Sequence, residues 1–148
     1  MTFTHTIIVM FVGSFLTQYF LMSPIMVSKR IYITNNLGKL YISVIMAIFM
    51  LFLEVMMHDH QYNVFSAKIY IILIISLTVF IYLYRNQIAI GDKQFLEEMI
   101  EHHSMGIFTS QEILKKTDSY EVTKLAKNII QAQNDEIQFM QGLLAKNK

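Results

Sequence analysis

Through residue 85 the apolar side chains come in long unbroken runs; beyond residue 91 they return only every three or four positions. The runs are "TIIVMFVGSFLTQYFLMSPIMV" (residues 6–27), "LYISVIMAIFMLFLEVMM" (40–57) and "AKIYIILIISLTVFIYLY" (67–84). Each reaches or approaches the ~20 residues that a helix needs to cross about 30 Å of hydrocarbon. They predict three membrane-spanning helices. The first run has neither a basic start nor an A-x-A-like cleavage site, so it reads as a retained span rather than a signal peptide. Pro24, near its end, is placed to kink it.

After Gly91 the period becomes that of an amphipathic helix. Asp92 is placed to cap a helix through "KQFLEEMIEHHSMGIFTSQEILKK", with Glu97 and Glu98 near its start and Lys115 and Lys116 in its last turn. Both charge placements suit the helix dipole. "TDSYE" interrupts the pattern, and Asp118 with Glu121 resembles a capping box that opens a last helix, "YEVTKLAKNIIQAQNDEIQFMQGLLAK". Helices joined by so short a turn pack as antiparallel neighbours. The expected fold is all-α: a membrane domain over residues 1–90, then a two-helix hairpin over residues 91–148. Two amphipathic helices bury little by themselves, so the hairpin is expected to complete a four-helix bundle, either by dimerising or by packing against another subunit.

Composition agrees with the membrane class, at 54% hydrophobic. The tail from Asp92 carries seven lysines against nine acidic residues, too weak a charge to suggest a nucleic-acid partner. Basic residues also bear on topology. Lys29, Arg30, Lys39, Arg85 and Lys93 fall on one side of the three spans and Lys68 on the other. By the positive-inside rule the N-terminus is outside and the hairpin cytoplasmic. The chain has no cysteine, which excludes disulfides, thiolate metal sites and a cysteine nucleophile. It has eleven methionines, and a thioether is both an apolar filler and a soft metal ligand.

On a helical wheel the stripe of the penultimate helix holds Phe95, Leu96, Met99, Ile100, Ile107, Ile113 and Leu114. His103 falls within it beside Met99, while His102 lies on its flank near Glu98. The last helix has Gln133 in the middle of its stripe and Glu136 at one edge. A hairpin folded about Thr117 and Asp118 sets residues opposite when their numbers sum to about 235. His103 is then level with Gln133, Met99 with Glu136 and Ile137, and Leu96 with Met140. Buried unpaired, such groups cost about 1–3 kcal/mol each, so they need one another, water or a ligand. One outcome is a hydrogen-bonded layer from His103 to Gln133 or Glu136 that fixes register. The other is a metal site of Met99, His102, His103, Glu136 and Met140, supported by Gln133 and Glu98. Nitrogen and thioether donors together suit copper, Cu(I) especially; zinc would use His103, His102 and Glu136. A di-iron site is not expected, because no glutamate stands three residues before a histidine. No phosphate loop, Ser-His-Asp set or pair of catalytic carboxylates is present, so no enzyme activity is expected.

"DKQFLEEMIEHHSMGIFTSQEIL" followed by "EVTKLAKNIIQAQNDEIQFM" resembles the domain of unknown function 305 (DUF305). That family pairs a Phe-Leu-x-x-Met-Ile-x-His-His stretch with a Leu-Ala-x-x-Ile-Ile-x-x-Gln-x-x-Glu-Ile-x-x-Met helix, and the preceding spans resemble its membrane-anchored branch. The resemblance covers about residues 91–145. It implies a small ferritin-like helical domain without established enzyme activity, linked in some relatives to copper handling. By position it carries over Met99, His102, His103, Gln133, Glu136 and Met140. Family members often have proline before the histidine pair, where this chain has Glu101. The resemblance also implies an extracytoplasmic domain, against the charge count.

The second span carries further donors. Met46, Met50, Glu54 and then Met57 or His58 recur at helical spacing, and "MMHDH" closes the span with His58 and His60. Glu54 requires a reason, since charge is costly in lipid: either it reaches the interface while the methionines pack, or the set forms a soft-metal path. The third span has no glycine, so a transport pore built on Gly-x-x-x-Gly packing is the lesser reading. Three functions remain in view: a membrane-anchored copper-binding protein, a structural subunit whose tail sets an oligomer's register, and a metal-transport pore.

Overall fold

The computed structural model describes residues 2–146, and its elements are all helices. Helix α1 (Phe3–Leu16) continues through a π-helical turn (Thr17–Leu21) into α2 (Met22–Met26). The π turn stands just before Pro24, whose ring would crowd the carbonyl of Phe20 in a regular helix; widening the preceding turn relieves that clash. The stretch Phe3–Met26 is long and apolar enough to cross a membrane, as are α3 (Leu37–Tyr62) and α4 (Ala67–Arg85). The three helices cover the three apolar runs. Helix α3 runs five residues past its run because Asp59 is used structurally: its carboxylate accepts from the backbone N–H (2.6 Å) and hydroxyl (2.8 Å) of Ser66, just ahead of α4. Asn63 ends α3 at φ 51°, a left-handed conformation that asparagine tolerates well.

A short 3₁₀ turn (Arg30–Tyr32) lies between α2 and α3, and the chain closes with α5 (Asp92–Ile113) and α6 (Tyr120–Lys146). Gly91, not Asp92, is the N-cap of α5, and Asp92 lies inside the first turn. Likewise Ser119 rather than Asp118 opens α6: its hydroxyl accepts the amide of Val122 (3.3 Å) and its carbonyl that of Thr123 (2.9 Å). One residue's shift moves the cap because the side chain must reach back to the third helical amide.

Contacts divide the chain into two compact units, and they do not follow a single cut at residue 90. The first contains α1, the π turn, α3 and α4; the second joins residues 22–36 to the C-terminal part from Ile90. In the first unit Ile48, Leu51 and Val55 of α3 and Leu73 of α4 form the core, with Phe3, Ile7, Met10 and Phe11 of α1 packed against it. In the second, Leu96, Ile100 and Ile107 of α5 meet Ile137 and Met140 of α6, and Tyr32 of the 3₁₀ turn packs onto them. The hairpin therefore gains cover from an earlier stretch of its own chain.

Candidate functional site

The antiparallel pairing of α5 with α6 brings His103 to Glu136 and sets Gly106 against Gln133. Both pairs lie about one turn further along α6 than a fold about Thr117 and Asp118 gives. The loop spends residues 114–119 outside both helices, and the packing of α5 on α6 sets the register. Glu136, expected level with Met99, is thereby the partner of His103, and Gln133 passes to Gly106. A Cβ on Gly106 would collide with Gln133 Oε1, so the glycine makes room for the amide. That oxygen is buried and accepts no hydrogen bond among the described residues.

His103 is held at both ring nitrogens. Nδ1 donates to the Met99 carbonyl (2.6 Å) one turn back, which fixes the ring in the seam. Nε2 lies 2.8 Å from Glu136 Oε2. A carbonyl and an ionised carboxylate both accept only, so both contacts are hydrogen bonds when the ring carries two protons. When Nε2 has lost its proton, the same backbone bond keeps that nitrogen aimed at the carboxylate. A backbone acceptor on one imidazole nitrogen is the usual way a protein orients the other as a metal ligand. The His103 side chain is 16% exposed and that of Glu136 59%, so the pair borders solvent.

The other expected donors are distributed differently. His102 is exposed, its ring edge-on to His103 with centroids 6.0 Å apart. Glu98 is half-buried on α5. Met140 is buried in the apolar cluster and Met99 packs against it. Among the described residues no three His, Asp or Glu side chains stand together as a metal cage. What the hairpin offers is an oriented two-donor pair, His103 and Glu136, with a second imidazole beside it.

Glu101 is the residue that the sequence pattern failed to single out. It is 5% exposed. One carboxylate oxygen accepts the Ser23 hydroxyl, and the other accepts the Thr34 amide (2.8 Å) and hydroxyl (3.2 Å). The Thr34 hydroxyl also donates to the Glu97 carbonyl (2.9 Å). One turn on, buried Ser104 takes the Ser28 amide on its hydroxyl (3.0 Å). Glu101 and Ser104 share a face of α5 by their three-residue spacing, the one available signal, but nothing local names residues 23–34 as their partners.

In the first unit the donors of α3 line two hollows of the α1–α3 seam. Met46 and Met50 face one with Met10; Glu54, Met57 and His58 face the other with Phe3 and Thr6. The His58 ring stacks on Phe3 at 3.7 Å and its Nδ1 lies 3.3 Å from Asp59. His60 is exposed.

An uncharacterized protein of Acanthamoeba polyphaga mimivirus is 29% identical over 142 residues, covering 96% of this chain and 93% of its own. No solved structure matches the chain. The family model for the domain of unknown function DUF305 matches residues 83–144, from the last turn of α4 through nearly all of α6. With both histidines and the whole paired seam inside that match, the C-terminal part of this chain belongs to the DUF305 family.

Proposed function

We propose that this is a membrane-anchored metal-binding protein, with copper as the metal and the His103–Glu136 pair of the hairpin as its anchoring site. The observation that carries this reading is the Nδ1–Met99 bond, which leaves Nε2 aimed at a carboxylate from the neighbouring helix at the edge of solvent. His103 and Glu136 would hold the ion, with His102 the nearest further imidazole. The thioethers of Met99 and Met140, packed in the adjoining core, favour a soft ion over magnesium or calcium. Held there, the metal would serve copper binding or homeostasis. The fourfold bundle expected of two hairpins supports a homo-oligomer whose second copy would add donors to this pair.

The test is copper titration of the full chain, since residues 22–36 belong to the hairpin's unit. A His102→Ala/His103→Ala variant is expected to lose one high-affinity equivalent per chain. Unchanged stoichiometry and affinity would end this reading and favour a second one, a structural subunit in which the same pair only locks helix register. That alternative draws on the 2.8 Å approach of His103 Nε2 to Glu136 Oε2, a contact the two helices make with each other.

The three apolar helices support an integral membrane protein, and the positive-inside count supports a cytoplasmic hairpin. The absence of cysteine makes this simple to read. A Ser119→Cys chain in intact cells is expected to resist a membrane-impermeant maleimide until the membrane is opened, whereas immediate labelling would reverse the topology.

A further inference from the structure

A second set of donors converges in the first unit, on residues separate from the hairpin pair. Met46, Met50, Glu54 and His58 follow at four-residue steps along α3, each about 6 Å from the last. Helix α1 supplies what the sequence pattern did not foresee, namely Met10. Met10, Met46 and Met50 line one groove of about 420 Å³ whose remaining wall includes Gly13, Ser14, Thr17 and Gln18. Gly13 borders open space, for a Cβ there would touch nothing within 4 Å. The π-helical turn begins at Thr17, on the same wall, and such turns recur at functional sites. The next hollow, about 190 Å³, is lined by Glu54, Met57 and His58.

We propose that the α1–α3 seam is a Cu(I) site, with Met10, Met46 and Met50 as its donors and Glu54 as the counter-charge one turn away. Three neutral thioethers reject hard cations, which require oxygen ligands, and accept a soft one. The cost of taking an ion out of water rises with the square of its charge, so a monovalent ion enters an apolar helix pair far more cheaply than a divalent one. A carboxylate within a membrane helix is costly by itself, and a cation one turn away offsets that cost.

The experiment uses the full chain in lipid nanodiscs, with Cu(I) kept reduced by ascorbate and competed against bicinchoninate. Methionine and leucine have similar volumes, so a Met10→Leu/Met46→Leu/Met50→Leu variant preserves packing. It is expected to lose one Cu(I) per chain, while the His102→Ala/His103→Ala variant retains that ion. Wild-type stoichiometry and affinity in the triple variant overturn the proposal and leave the hairpin reading untouched. Should the triple variant fail to fold, X-ray absorption of the histidine variant loaded with Cu(I) decides. A sulfur shell sustains the site; nitrogen and oxygen scatterers alone overturn it.

Discussion

A Glu101→Ala chain is expected to release residues 22–36 from α5. The substitution removes the acceptor of the Ser23 hydroxyl and of the Thr34 amide and hydroxyl together. Ser23 is 3% exposed, so its hydroxyl has no ready replacement in water. Each buried donor left unpaired costs about 1–3 kcal/mol, so two of them amount to about 2–6 kcal/mol of local stability. Hydrogen exchange reads this directly: the Thr34 amide should exchange on the order of a hundredfold faster, with the Ser28 amide following. Protection at Thr34 equal to wild type would show that Glu101 does not hold the segment. Glu101→Gln separates charge from shape, since the amide keeps one acceptor and should restore part of the protection.

The second large effect lies at Ile137, which is fully buried among Leu96, Ile100, Ile107 and Met140. Ile137→Ala leaves a cavity where α5 and α6 touch, at a cost of about 2–5 kcal/mol. Amides at the centre of α6 should exchange faster by a similar factor to Thr34 above, whereas those of α3 keep their rates. Ile137 is one residue from Glu136, so the variant should also loosen the His103 pair and weaken copper uptake. Leu73→Ala in the first unit provides the contrast: it should cost stability there and leave the hairpin's copper uptake alone. Equal losses of hairpin protection from both variants would mean that the two units do not unfold separately.

The DUF305 family and the all-helical fold were legible in the sequence. The family motif lies in contiguous residues, and hydropathy over a 20-residue window is a local sum that needs no partner. Polar positions within an amphipathic stripe were legible for the same reason, which is how His103 came to the seam. Its partner was legible only as one of two, Gln133 or Glu136. A hairpin's register depends on the geometry of its loop and on how the two helix faces pack, neither of which a local pattern gives, and here they set Glu136 beside His103.

Glu101 shows the other limit. On a wheel it is a charged residue beside the stripe, indistinguishable from a solvated one. It is buried because Ser23 and Thr34 arrive from 78 and 67 residues away, and no local pattern encodes so distant a meeting. Met10 was missed in the same way, for its neighbours on the groove belong to another helix.

What the sequence by itself determined were the properties set by near neighbours: three helices of membrane length, a charged hairpin after them, and the family to which that hairpin belongs. Hydropathy, helical period and motif spacing all act within a few turns, so they survive without a fold. Tertiary structure alone decided which polar groups meet. The pairing of His103 with Glu136, the clasp of Glu101 on residues 22–36 and the thioether groove between α1 and α3 each join residues far apart in the chain. Only packing brings such groups within hydrogen-bonding or ligand-binding reach.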